Sequence, residues 1–414
     1  MGTTPCDEDW FISNDETKNT SYSFPALESI GFAQTVDKAG KQLPLVLELI
    51  PLPLLSENNE QMPVGARGWY ASAVLSAMMM VACSRNSNGG REGESGEGVL
   101  PNDGSDSRDS SGSRGIDLMR EDLKRAFTHS NLKVAKTGRN DDNIFLELGS
   151  GTIGLSGMAM AWILAQLQQK TSLLQEDISC SNNKVVLTDY DEMCLKQLER
   201  NAEGTRQALS RYFSESEFSN ECGDGKENHN ASANKNTSAN GNNRIAPDID
   251  VAHLDWNEYD QDQSPVLWDK DNSSSGDGAD ESNQRGIVSF ACGAALVYTE
   301  ATSSCANQVA KLLRLHPQCV VWVVQWPRGG WFSVFQQELT SKRNERDGLQ
   351  IRVEKFGPES SPELFSDEIQ GLASTLMPES MQQEGRMDIK YLRAVRITNH
   401  KDTVLLSENT KIGG

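Results

Sequence analysis

"IFLELGSGTIGLSG", residues 144–157, is the stretch on which the reading of the whole chain turns. An apolar run enters a loop with glycines at 149, 151 and 154, and an apolar, helix-forming segment follows through Gln169. A continuous apolar strand that breaks at glycines and passes straight into a helix predicts the first strand–turn–helix unit of a parallel sheet. The GxGxxG spacing fits the turn that rests a dinucleotide pyrophosphate on a helix N-terminus. Glu147 does not suit that ligand. A carboxylate two residues before the first glycine opposes a phosphate and favours a ligand that carries a cation or an amine.

The same rhythm continues outward from this unit. "KVVLTDY" (184–190), "DIDVAHLDW" (248–256), "GIVSFACGAALVYTE" (286–300) and "CVVWVVQWP" (319–327) read as buried strands with helices between them. "LQIRVEKF" (349–356) and "IKYLRAVRIT" (389–398) follow after the strand–helix alternation weakens, which predicts an antiparallel hairpin at one edge. The expected fold class is therefore α/β: a Rossmann-like, seven-stranded, mostly parallel sheet with an antiparallel edge hairpin, interrupted by disordered insertions.

Three tracts, 84–115, 214–246 and 260–285, are too rich in Ser, Asn, Gly and Asp to bury a core of their own. They predict a flexible tail over 1–40 and, over 41–83, a docking segment with a helix packed on the core. A mostly low-complexity insertion then covers 84–142, and the α/β domain spans 143–400 with insertions at about 214–246 and 260–285. The segment "LPLVLELIPLPLL" (43–55) reads either as a plain edge strand or as a surface for a partner.

The net charge of −20, from 39 basic and 59 acidic residues, repels phosphate backbones and anionic lipid. No nucleic-acid or membrane partner is expected, and a monomer is. Eight cysteines show no CxxC pair and no spacing with histidine that suits zinc, so no metal site is expected and the thiols read as reduced. The longest helical apolar run, 69–83, is too short to span a bilayer. The expectation is a cytoplasmic protein, with the nucleus as an alternative compartment.

In an open parallel sheet, ligands sit outside the carboxyl ends of the strands, where the strand order reverses. That places the chemistry at Glu147–Gly154, Tyr190, Leu254–Trp256 and Gly293–Tyr298. "HLDW" adds an acid and an indole, Asp255 and Trp256, which suit an adenine through a hydrogen bond and stacking. S-adenosylmethionine has a sulfonium, an amino-acid end, an adenosine and no phosphate. It answers Glu147 and "LDW" together, whereas NAD answers only the glycine spacing.

With these motifs assembled, the chain resembles the family-16 seven-β-strand methyltransferases, mostly protein lysine methyltransferases, over Gly65 to about Ala82 and Ile144 to Ile397. "GARGWYASAVLS" (65–76) is similar to the family's Gly-x-x-x-Trp-Asp-Ala-Ala segment and places Trp69 at its cofactor-contacting tryptophan. "LELGSGTIGLSG" implies Gly149, Ser150 and Gly151 against S-adenosylmethionine. "LTDYDEMCLKQLERN" implies Asp189 on the ribose hydroxyls, beside Tyr190, and "LDW" implies Asp255 and Trp256 at the adenine. "GAALVYTE" aligns with the family's Gly-Ala-Asp-x-x-Tyr signature, so that Ala294 lies near the cofactor and Tyr298 faces a protein substrate. Two positions depart from the pattern: Ala295 replaces the signature's acid, and Tyr70 follows Trp69 where the family has Asp. Glu300 is the nearest substitute for the missing acid, so Tyr298 and Glu300 are the candidate catalytic pair.

Each assignment has a structural counterpart. Trp69 also reads as a core aromatic, Trp256 as a cap on the core, Asp189 as the cap of the following helix and Tyr298 as a packed tyrosine. Two functional alternatives remain beside a methyltransferase: a cofactor-binding module without turnover, and an NAD-dependent oxidoreductase.

Overall fold

The computed structural model describes residues 20–24, 45–49, 70–84, 114–137, 142–173, 183–218, 247–256, 286–297, 301–326, 330–341, 344, 348–377 and 389–400. The element order among them is β1 (Thr20–Phe24), β2 (Leu45–Leu49), α1 (Tyr70–Ser84), α2 (Arg114–Thr137), β3 (Asn143–Leu148), α3 (Leu155–Leu173), β4 (Asn183–Asp189), α4 (Glu192–Phe218) and β5 (Asp248–His253). β6 (Ile287–Ala294), α5 (Thr302–Leu315), β7 (Val320–Gln325), α6 (Trp331–Leu339), β8 (Ile351–Phe356), α7 (Asp367–Thr375) and β9 (Arg393–Asn399) follow.

Seven strands form one sheet in the order β5-β4-β3-β6-β7-β9-β8. The pairs among β3 to β7 are parallel, and β9 lies antiparallel to both β7 and β8. The α/β class and the antiparallel hairpin are as the sequence predicts. From β3 the chain steps out through β4 to β5, then returns to the other side of β3 for β6 and β7. The order therefore reverses between β3 and β6, which leaves a crevice above their carboxyl ends. Leu148 pairs with Gly293 at that end.

Both faces of the sheet are covered, which is why β3 is buried along its whole length. One core joins Phe145, Leu187, Phe290, Trp322 and Val324 to residues of α1, α2, α3, α4 and α7. The other joins Ile144, Leu146, Val186, Val321 and Val323 to α5 and α6. α3 has no polar stripe because the sheet lies on one side of it and α1 on the other.

Three domain expectations need correction. Thr20–Phe24, inside the expected tail, is a strand, and Leu45–Leu49 pairs with it antiparallel in a separate two-stranded sheet, not at an edge of the main one. Phe24, Leu45, Leu47 and Leu49 alternate inward and bury against the helical layer, where β2 meets α4 and β1 meets α7. α2 lies within the expected 84–142 insertion; Ile116, Met119, Leu123 and Ala126 recur at helical spacing and bury in the core. α4 runs on to Phe218, past the start of the expected 214–246 insertion.

α2 also carries a charge into the interior. Asp122 accepts from Arg396 at two points, Oδ2 to Nε at 2.6 Å and Oδ1 to Nη2 at 2.8 Å, and from Trp322 Nε1 at 3.0 Å. Arg396 Nη1 continues to Glu354 Oε2 at 2.5 Å. These bonds join α2 to β7, β8 and β9, and removal of one partner would leave a buried charge uncompensated. No helix among the described residues is long and apolar enough to cross a membrane, and none of their His, Cys, Asp and Glu side chains group as a metal site. The described cysteines are free. Burial pushes the Cys83 thiol up to about 12 and raises those of Cys194, Cys292, Cys305 and Cys319 as well.

Candidate functional site

The site is built from the end of β3 upward. Gly149, Gly151 and Gly154 all have left-handed backbones, with φ of 62°, 61° and 64°. At Gly149 a Cβ would lie 3.0 Å from Leu296 Cδ2 and 3.4 Å from Trp256 Cζ2, so the side-chain position is filled by residues from two other strand ends. The loop is then fastened to β4. Ser150 donates its N–H to Thr188 O at 2.7 Å, and Thr188 returns its own N–H to Ser150 Oγ at 3.1 Å. Thr188 Oγ1 donates to Glu147 O at 2.7 Å. Gly151 N donates to Asp189 Oδ2 at 2.8 Å, and Asn201 Nδ2, reaching from α4, donates to Thr152 O at 2.7 Å.

Glu147 is placed differently from its expected role. It is 3% exposed, and its carboxylate accepts from the backbone N–H groups of Ser156 (3.2 Å) and Gly157 (3.1 Å) in the first turn of α3. The sequence expectation gave it to a ligand amine. The structure turns it to the helix start, because those N–H groups have no partner within the helix and a carboxylate satisfies two of them. Burial pushes its carboxyl up to about 7, against the opposing pull of the Gly157, Ser150 and Ser156 hydrogen bonds. The consequence is chemical. The helix N-terminus on which a pyrophosphate would rest is already held by an acid of the protein itself.

Asp189 also serves the fold. It is 5% exposed; Oδ1 accepts from Tyr190 N (2.9 Å) and Asp191 N (3.1 Å), while Oδ2 accepts from Gly151 N. Three of its roughly four acceptor positions are thereby used, so it does not present two free oxygens to a pair of hydroxyls. Burial raises its carboxyl above the usual range, and the three N–H bonds oppose that shift. The cap of α4 is Asp191, whose Oδ1 accepts from Met193 N and Cys194 N at 2.9 and 3.0 Å.

Around this centre, Tyr190 is 54% exposed at the end of β4, and its carbonyl lies 3.1 Å from His253 Nε2. Leu254 N donates to Asp189 O, which brings Asp255 and Trp256 to the same rim. Trp256 is half-buried against the α5–α6 core and packs beside Gly149. On the other side β6 ends at Ala294, 8% exposed. Ala295 then turns with φ 53°, the only non-glycine with positive φ among the described residues, and donates its N–H to Val324 O at 2.9 Å.

Of the candidate site residues, Glu147, Gly149, Ser150, Gly151, Asp189, Tyr190, Asp255, Trp256 and Ala294 thus gather at the carboxyl ends of β3 to β6. Trp69, Tyr298 and Glu300 lie outside the described residues. The sequence reading assigned no role to Thr188, Asn201 and Leu296. Thr188 and Asn201 stand in the quoted "LTDYDEMCLKQLERN", where a threonine just before the strand-end acid and a helical asparagine were the available signal.

No family model matches the chain, and no curated protein matches it. Among solved structures it is similar to a TehB-like SAM-dependent methyltransferase from Corynebacterium glutamicum, at 10% identity over 66% of this chain and 88% of that one, with a TM-score of 0.27. A human methyltransferase 10 domain containing protein aligns at 8% identity over 67% and 81%, with a TM-score of 0.27. A geranyl diphosphate methyltransferase in complex with GPP and sinefungin aligns at 12% identity over 68% and 80%, also at 0.27. The fold assignment rests on the strand order above and not on these likenesses.

Proposed function

We propose that the chain is an S-adenosylmethionine-dependent methyltransferase that acts on lysine in a protein substrate. The observation that supports the cofactor most is Glu147 on the N-terminus of α3. It fills the phosphate position at the switch point, while three left-handed glycines and the Asp255–Trp256 rim keep a place for a nucleoside. A ligand with an adenosine and no phosphate fits that combination; NAD does not. The residues that would hold it are Gly149, Ser150, Gly151, Tyr190, Asp255, Trp256 and Ala294, with Asp189 keeping the loop in shape; the family resemblance adds Trp69. When bound, S-adenosylmethionine supplies an electrophilic methyl group on its sulfonium.

The protein's part in such a reaction is to align a neutral nucleophile and exclude water. Tyr298 and Glu300, just beyond the described end of β6, are our candidates for orienting the substrate amine. Ala295, where the resembling family has an acid, favours a second reading: a cofactor-binding module without turnover. Two measurements separate the possibilities. Calorimetric titration with S-adenosylmethionine and NAD tests the ligand class, and tritiated methyl transfer into a cell extract tests turnover. In an active enzyme, Tyr298→Phe should lower the rate about tenfold with cofactor affinity unchanged. An active wild type indifferent to that change would remove Tyr298 from the mechanism.

A further inference from the structure

Gln325 is the last residue of β7. Val320, Trp322 and Val324 of that strand face the core on the α1–α4 side, and Val321 and Val323 face the α5–α6 side, so alternation puts Gln325 with the latter. It is 2% exposed, and its Oε1 has no hydrogen-bond partner among the described residues. Buried acceptors are rarely left in this state, because a group taken out of water without a partner loses its hydration for nothing.

The nearest cross-strand donor does not answer it. Arg393, paired with Gln325 across β7 and β9, gives Nη1 to Lys390 O and Leu392 O and places Nη2 3.2 Å from Glu359 Oε1. On the opposite side of β7, Val324 O receives the N–H of Ala295, the residue with φ 53°. An unmet acceptor and a strained turn therefore meet at the carboxyl ends of two adjacent strands. Both are costs to the folded chain alone, and such costs collect where a ligand supplies the missing interaction.

Resting on the methyltransferase reading above, we propose that Gln325 is a specificity-determining residue whose side-chain oxygen receives an N–H of the acceptor amine. A carboxamide suits this task, because it orients the amine through one hydrogen bond and adds no charge of its own. The described ends of β6 and β7, from Gly293 to Val297 and from Val324 to Trp326, contain no acid, so the amide is their hydrogen-bonding side chain toward an amine. The acceptor class is thus an amine presented neutral.

The test uses the full chain and its Gln325→Met and Gln325→Leu variants, two apolar shapes of similar length. The readouts are melting temperature, calorimetric affinity for S-adenosylmethionine, and methyl transfer from the tritium-labelled cofactor into proteins of a cell extract. We expect both variants to melt at or above the wild-type temperature, because no internal bond is lost. Cofactor affinity should stay within about twofold while transfer falls about tenfold or more. Melting several degrees lower in both variants would reveal an internal partner for the oxygen and overturn the role. An active wild type that both variants match would overturn the role alone and leave the methyltransferase reading standing. A wild type that binds neither the cofactor nor transfers methyl groups overturns both.

Discussion

At the carboxyl ends of β3 and β4, three carboxylates are spent on the chain itself. Glu147 holds the start of α3, Asp189 holds Gly151 and the next turn, and Asp191 caps α4. At the ends of β6 and β7 the described residues are apolar apart from Gln325, whose oxygen has no partner among the described residues, and Ala295 sits in a backbone region that disfavours alanine. The first half of the crevice is shaped from within and is ready before any ligand arrives. The second half is incomplete by itself, which agrees with its proposed place on the substrate side. A cofactor pocket gains from rigidity, and a substrate pocket gains from unmet contacts.

The comparison breaks most visibly at Asp189. Asp189→Ala strips the acceptor from Gly151, Tyr190 and Asp191 at once, so it should cost about 3 kcal/mol or more of stability, read from the urea midpoint. S-adenosylmethionine affinity should fall with it, since the glycine loop loses its hold. A mutant as stable as wild type would show that this half is not built as described.

Next in size is the pH response of Glu147. Its folded carboxyl titrates near 7, above the ordinary 4.5, so the fold favours the protonated acid. The sign follows. Its contribution to stability is fully present below 4.5, declines as pH rises, and is lost once pH passes about 7. The loss across that window is up to about 3 kcal/mol. Wild type and Glu147→Gln, whose neutral side chain resembles the protonated acid, should unfold alike at acid pH and separate as pH rises through about 7, with wild type becoming the less stable. Parallel profiles would refute the buried placement.

Smallest is the strain at Ala295. Ala295→Gly should relieve the left-handed backbone and gain about 0.5–1 kcal/mol, after allowance for the greater freedom of glycine when unfolded. A lower melting temperature would mean that the methyl, partly buried against the core, contributes more than the strain removes.

The same division runs through what the sequence discloses. The seven strands were legible because each is a Val/Ile/Leu run of strand length bounded by polar or glycine residues, and the glycine loop because left-handed turns require that residue. The duty of a buried acid is harder to read. Glu147 and Asp189 are named by position, but whether a carboxylate faces a ligand or a backbone N–H depends on rotamers that only the folded neighbours select. α2 escaped notice because its apolar stripe is thin and lies beside a polar tract, and its Asp122 finds Arg396 only across 274 positions of chain. Gln325 gave no signal at all, since the lack of a partner cannot be seen in one dimension.

The central claim is that the switch-point crevice takes an adenosine-bearing ligand without phosphate because Glu147 already occupies the phosphate position. Calorimetric titration of the full chain with S-adenosylmethionine and, separately, with NAD at the same pH tests it most directly. Saturable binding of S-adenosylmethionine with no heat from NAD is the predicted result. Saturable NAD binding, or silence with S-adenosylmethionine, would contradict it.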